Sequence, residues 1–233
     1  VKKIKYYKNF NIDKKHKGSI ILIGNFDGLH LGHRKLFNNA NLLKKKLNLK
    51  VGVYTFDPIP KMFFFKNLKN YRISNLNQKL DLFKKFKVDF VINQKFDKKF
   101  SKINYYKFIE NILYRKLRSK YIFVSNNFRF GNNREGNVKL LKLLEKKFNY
   151  KIRKPSPFKR SNKIISSTLI RSLLREGKLE IANKYLDRKW SIEGVVERGR
   201  QMGKKIGFPT CNIDLQNYVI AKPGVYAVRV FIK

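Results

Sequence analysis

Apolar side chains along this chain of 233 residues fall in short unbroken runs, and the runs alternate with stretches of helical spacing. Residues 19–24 (SIILIG) read as a buried strand, because a continuous apolar run bounded by glycine suits a sheet covered on both faces. From His33 onward Leu36, Phe37, Ala40, Leu43 and Leu47 keep helical spacing, and residues 51–56 (VGVYTF) read as a second strand. The alternation continues. Leu76, Leu80, Phe83 and Phe86 mark a helix before a strand at 90–92, and Phe108, Ile109, Ile112, Leu113 and Leu117 mark another before 121–124. Val138, Leu141, Leu144 and Phe148 predict one more helix, leading to a short strand near Ile152. Such alternation predicts a doubly wound parallel α/β sheet with ligands at the carboxyl ends of its strands. Past the proline-bearing segment 154–160, helices are predicted over about 168–176 and 179–186. The helical spacing then stops. Val195-Val196, the glycine-bearing stretch 199–207 and β-like runs over 218–230 predict a second, β-rich module, so the chain divides into residues 1–186 and 187–233.

Composition changes this picture little. The chain is 42% hydrophobic and long enough to bury a core. Its longest apolar run near the start, residues 20–23, is too short for a secretory segment or a membrane span, and a cytoplasmic location with no membrane partner is expected. One cysteine, Cys211, excludes an internal disulfide and fits a reducing compartment. The formal charge of +40 suggests a nucleic-acid-binding protein at first sight. However, 41 of the 55 basic residues are Lys and alanine occurs only four times, the mark of A/T-rich codons writing Lys at solvated positions. The basic residues also spread over the whole chain instead of forming one stripe with interleaved aromatics, so no specific nucleic-acid partner is expected. A basic surface would still steer anionic substrates inward.

The candidate chemistry lies where the first strand gives way to the first long helix, in residues 24–33, GNFDGLHLGH. Backbone N–H groups and the helix dipole can hold an anion there, and His30 and His33, on either side of Gly32, can both direct ring N–H groups at it. No acid or thiol stands around them at metal-ligand spacing, which ranks phosphate contact above zinc. Two surface histidines on a tight turn are the structural alternative. A second constellation, residues 165–171 (ISSTLIR), opens a helix with three hydroxyls and sets Arg171 one turn in. Any one of Ser166, Ser167 and Thr168 is explained as a helix cap. All three with a guanidinium make a second polyphosphate cradle.

HxGH after a first strand, with ISSTxxR ahead of a late helix, resembles the nucleotidyltransferase superfamily. Three further stretches narrow the resemblance: TFDPIPK at 55–61, VSNNFRFGNNREGN at 124–137, and GRQMGKKIGFPTCNI at 199–213. Together they resemble the bacterial bifunctional riboflavin kinase/FMN adenylyltransferases, or FAD synthetases. The resemblance implies a Rossmann-like doubly wound parallel sheet of the HxGH type, followed by the start of a small β-barrel module. It implies transfer of AMP from Mg-ATP to FMN, giving FAD and pyrophosphate. Gly24, Phe26, Asp27 and Gly28 would shape the nucleotide pocket, and His30 and His33 would contact the ATP phosphates. Ser166, Ser167, Thr168 and Arg171 would hold the departing β- and γ-phosphates, and Asn127 and Arg129 would lie on the flavin side. His30 and Arg171 are expected on an exposed pocket wall. Thr210 and Asn212 match the PTxN motif that binds Mg-ATP (Mg2+ with the nucleotide) in the kinase module. The chain departs from the family at Ser125 (usually glycine), Asp57 (often Glu), Ile59 (often His, costing a polar contact on the flavin side) and Cys211 (usually Ala). Only 47 residues run from Asp187 to the end, enough for three or four strands, and no glutamate follows PTCN. The chain as given is therefore expected to phosphorylate riboflavin poorly or not at all. An HxGH nucleotidyltransferase with another phosphate acceptor and a basic nucleic-acid-binding protein are the competing readings.

Overall fold

The computed structural model describes residues 4–160, 162–200 and 202–232. Six strands form one wholly parallel sheet: β1 (Lys5–Tyr7), β2 (Ile20–Ile23), β3 (Val51–Asp57), β4 (Phe90–Lys95), β5 (Tyr121–Phe123) and β8 (Lys151–Arg153), in the order β1-β4-β3-β2-β5-β8. Between and after them lie three two-stranded antiparallel pairs, β6 (Arg129–Phe130) with β7 (Gly136–Asn137), β9 (Lys159–Arg160) with β10 (Lys163–Ile164), and β11 (Val196–Glu197) with β12 (Asn212–Ile213). The helices are α1 (Leu31–Leu47), α2 (Pro60–Phe64), α3 (Leu76–Lys85), α4 (Lys98–Ser101), α5 (Tyr105–Lys107), α6 (Val138–Leu143), α7 (Ser167–Arg175), α8 (Leu179–Leu186) and α9 (Met202–Lys205). A wider, π-helical stretch over Phe108–Lys116 continues α5.

The two-residue side-chain period of a strand explains why the apolar runs are unbroken. Ile21, Ile23, Tyr54, Phe56, Phe90 and Ile92 turn to one core, while Ile20, Leu22, Val51, Val53 and Val91 turn to the other. A third cluster joins Ile170, Leu173 and Leu174 of α7 and Ala182 and Leu186 of α8 to Ile73 and Val219. From β2 the chain winds outward through β3 and β4, then returns to β5 on the other side of β2. The direction reverses between β2 and β5, and the crevice over their carboxyl ends is where such sheets bind ligands.

Three expectations need correction. The helix read over Val138 to Phe148 is regular only to Leu143, after which the chain continues as turns. β1 and the pairs β6/β7 and β9/β10 are absent from the sequence reading, since two or three residues carry too little periodicity to register. The β-like runs over 218–230 form no strand. Tyr218 and Val219 are buried, but Val225, Val228, Val230, Phe231 and Ile232 are exposed, with no partner sheet among the described residues to cover them. Of the stretch 199–207, Gln201 lies outside the described residues.

Candidate active site at the carboxyl edge of the sheet

The chain leaves β2 at Gly24 and enters α1 at Leu31, crossing the edge in a tight loop. Gly28 has φ +81°, and its missing Cβ would meet Ile73 at 3.0 Å, so the turn needs glycine both for conformation and for room. Phe26 and Leu29 are also left-handed, at φ 47° and 37°, an uncommon and strained state for such residues. Asp27 holds the loop. Its buried carboxylate accepts from the N–H groups of Ile73 and Ser74 at 3.0–3.1 Å and from Arg171 Nη2 at 2.5 Å.

His30 is the N-cap of α1, yet no side chain caps this helix. Among the described residues, the N–H groups of Phe26, Asp27, Leu31, Gly32 and His33 donate to no protein acceptor. The imidazoles of His30 and His33 stack with centroids 3.8 Å apart and planes at 23°, and the ring of Phe26 stands edge-on to His33 at 5.3 Å. A side chain at Gly32 would strike the His30 ring at 3.1 Å and the Ile165 carbonyl at 3.2 Å, which is why bare backbone separates the pair. Burial, aided by Arg188 and Arg171, lowers the pKa of His30 to about 4. Burial, then His30, Arg188 and Lys79, push His33 well below its ordinary value. Both rings are therefore neutral at pH 7, with one N–H each. Both Nδ1 atoms are buried without a partner. A proton on Nε2 leaves only a lone pair unmet at Nδ1, so Nε2 is the donor edge left for a ligand.

Residues 165–171 abut this loop. The Ser167 hydroxyl donates to the Asp27 carbonyl at 2.7 Å, and Ser166 Oγ caps α7 by accepting from Leu169 N at 3.2 Å. Thr168 is exposed. Arg171 departs from expectation: it is 5% exposed, its Nε donates to the Tyr71 carbonyl at 2.7 Å, and its guanidinium lies 3.7 Å over the Tyr71 ring. An acid buried at Asp27 required a buried cation, so the guanidinium went to the fold rather than to an exposed wall. His30, also 5% exposed, is equally not the surface group expected.

Asn127 and Arg129 are exposed on the segment after β5, across the crevice from the loop after β2. Ser125 Oγ lies 3.0 Å from Asn127 Oδ1, Asn126 donates to the Pro155 carbonyl at 3.2 Å, and Lys35 of α1 donates to Ser156 at 2.8 Å, which ties this edge together. Asp57 pairs with Arg72, and Ile59 is buried ahead of α2. Thr210 and Asn212 are exposed, on the segment with β12. Strand pairing sets Glu197 opposite Asn212, a neighbour that linear order hides. Cys211 is exposed and free.

Sequence reasoning missed two cations. Arg188 donates to the Gly28 carbonyl at 2.7 Å, and burial lowers its pKa to about 10. Lys79 is 3% exposed, with Nζ 3.3 Å from the Asn25 carbonyl and 3.4 Å from Thr55 Oγ1. A signal for Lys79 existed: position 79 falls in phase with Leu76, Leu80, Phe83 and Phe86, so the lysine lies in the apolar stripe of its helix.

A doubly wound parallel sheet that carries HxGH at its reversal point defines an α/β protein of the nucleotidyltransferase type. The profile described as FAD synthetase matches residues 12–169, and that described as riboflavin kinase matches residues 186–233. The bifunctional riboflavin kinase/FMN adenylyltransferase of Buchnera aphidicola subsp. Schizaphis graminum is 40% identical over 221 residues, 94% of this chain and 71% of the relative. That of Escherichia coli K12 is 36% identical, over 92% of this chain and 68% of the relative. The chain belongs to the FAD synthetase family of bifunctional riboflavin kinase/FMN adenylyltransferases. A crystal structure named as a macrolide-efflux protein from Streptococcus pneumoniae superposes with a TM-score of 0.79 at 26% identity, covering 96% of this chain and 73% of that one. Among the described residues of this chain no helix is long and apolar enough to cross a membrane.

Proposed function

We propose that this chain transfers AMP from ATP to FMN, releasing FAD and pyrophosphate. An oxygen of the FMN phosphate attacks the α-phosphorus of ATP, a new P–O bond forms, and the bond to the β-phosphate oxygen breaks. Charge builds on the oxygens of the α-phosphate. Such a reaction asks little covalent chemistry of the protein and much positioning.

The observation that carries the reading is the neutral, stacked pair His30 and His33 at a helix start whose N–H groups have no protein acceptor. Two hydrogen-bond donors fixed by stacking and by the packing around Gly32 need no rearrangement as charge develops, which is how oxyanion stabilisation acts. Arg171 works at one remove, fixing Asp27 and thereby the loop. Ser166, Ser167 and Thr168 stand beside the departing phosphates, with the exposed Thr168 hydroxyl best placed to contact them. Gly24, Phe26, Asp27 and Gly28 set the shape of the adenosine side, and Asn127 and Arg129 hold FMN across the crevice.

Mg2+ bound to ATP would neutralise phosphate charge. Thr210 and Asn212 offer oxygen donors of the class it takes, but both are neutral and exposed, and no group of three His, Cys, Asp or Glu side chains gathers among the described residues. For riboflavin phosphorylation the described residues after 187 supply one strand pair, β11 with β12, and no closed barrel. We assign this chain adenylyl transfer and little kinase activity, with small-molecule substrates rather than nucleic acid. Incubating the purified chain with Mg-ATP and FMN, with Mg-ATP and riboflavin, and with Mg-ATP and other phosphate acceptors tests this. FAD from FMN, with little FMN from riboflavin, is expected. Another adenylylated acceptor in place of FAD would move the chain to a different HxGH reaction.

A further inference from the structure

Codon bias explains lysines on solvated positions, but it does not explain Lys79. Of 41 lysines in the sequence it is the one buried among the described residues. Among the described residues no carboxylate lies in hydrogen-bonding reach, and Nζ has the Asn25 carbonyl and Thr55 Oγ1 alone, at 3.3 and 3.4 Å. An ammonium buried without an ion pair costs stability, and a methionine of similar length would suit the stripe beside Phe83 better. Residues that break the local rule at a cost concentrate at functional sites.

The geometry shows what it does there. Asn25 O accepts from both Lys79 Nζ and Thr55 Oγ1, so this carbonyl points inward under the loop. The peptide is trans, so the N–H on its other side, that of Phe26, points the opposite way. Phe26 is buried and left-handed, and its N–H meets no protein acceptor among the described residues. Resting on the adenylyl-transfer reading above, we propose that Lys79 is a positioning residue of the transfer site, whose ammonium holds the Asn25 carbonyl inward and so aims the Phe26 N–H at the phosphate beside His30 and His33. Arg72, Asp27, Asp57 and the His33 ring are the other titratable or charged groups around it. Burial dominates them and lowers the pKa of Lys79 to about 8. The clamp therefore loses its charge as pH rises through about 8.

The test uses the full 233-residue chain and compares wild type, Lys79→Met and Lys79→Arg by thermal midpoint and by kcat and KM for FMN between pH 6 and 9.5. Wild-type kcat should fall above a midpoint of about pH 8. Lys79→Met should melt at or above the wild-type temperature, keep KM within about threefold, lose kcat by about tenfold or more, and lack the alkaline fall. Lys79→Arg should retain more activity than Lys79→Met and also lack the fall, because its charge does not titrate there. Lys79→Met with kcat within twofold of wild type would overturn the proposal. So would a lowered melting temperature with the alkaline fall intact, which marks a structural lysine. Should Lys79→Met fail to fold, Lys79→Arg decides by whether the fall near pH 8 persists. A wild type that makes no FAD sinks the underlying reading instead, whereas a wild type and Lys79→Met that make it equally sink only this inference.

Discussion

The N-termini of α1 and α7 meet at one edge of the sheet, and the sequence suggests a phosphate cradle at each. Their chemistry differs. At α1 the N–H groups of residues 31–33 are unmet and the nearby donors are two neutral imidazoles with buried, unpartnered Nδ1 atoms. At α7 Ser166 caps the helix, Ser167 donates to the Asp27 carbonyl, and Arg171 gives Nε to the Tyr71 carbonyl and Nη2 to Asp27. On the proposed reading the first terminus meets the ligand, and contacts from the second to Asp27 help hold it in shape.

The largest effect that separates the two termini is loss of the clamp. Arg171→Ala leaves the Asp27 carboxylate buried and unpaired, and removing one partner of such a pair costs about 3–5 kcal/mol. A urea melt should show the loss, and FAD synthesis should fall with it. A variant that melts like wild type but no longer uses ATP would return Arg171 to direct phosphate binding.

What was legible in the sequence follows from how far each signal travels along the chain. The parallel sheet was legible because β2 and β3 are buried on both faces up to Asp57, so apolar residues dominate both strands. The pairing of 24–33 with 165–171 came from resemblance, since no local pattern joins positions about 140 apart. The burial of Arg171 could not be read at all. It depends on Asp27 and on residues 71–74, two chain segments brought to α7 only by the fold. Tyr218 and Val219 show the same limit. They read as strand but serve as a docking point, with Val219 N donating to the Arg72 carbonyl at 2.7 Å and Tyr218 Oη to Gln78 at 3.0 Å. The exposed apolar residues beyond them have β-like composition without a sheet to enter.

Next in size is an acid effect that belongs to α1 and not to α7. The unfolded His30 ring takes up a proton below pH 6.5, whereas the folded ring refuses it until about pH 4. Stability is then fully present above pH 6.5 and is lost as pH falls toward 4, by about 3 kcal/mol for this ring. Melting temperature measured from pH 7 to 4.5 should drop, and less steeply in His30→Asn. An equal slope in that variant would show the ring to be solvated. The same substitution should lower turnover by about a hundredfold at pH 7.5, because a donor aimed at the developing charge is misplaced while Gly32 and the loop remain. Near-normal FAD synthesis by His30→Asn would remove His30 from the reaction.

The smallest effects divide the hydroxyls of α7. Ser166→Ala removes the cap on Leu169 N and should cost about 1 kcal/mol, a fall of about 2–4 °C in melting temperature for a chain of this size, with ATP use unchanged. The Thr168 hydroxyl is on an exposed residue and makes no hydrogen bond among the described residues, so Thr168→Ala should change stability by less than about 0.5 kcal/mol. If Thr168 is the one hydroxyl left to the departing phosphates, its loss should instead raise KM for ATP or lower kcat several-fold, about 1 kcal/mol of binding or transition-state energy for a single hydrogen bond. The pair reads in opposite directions, stability for Ser166 and kinetics for Thr168. The reverse result, a stable but inactive Ser166→Ala beside an active Thr168→Ala, would make the cap the phosphate ligand and undo the distinction between the open terminus and the clamp.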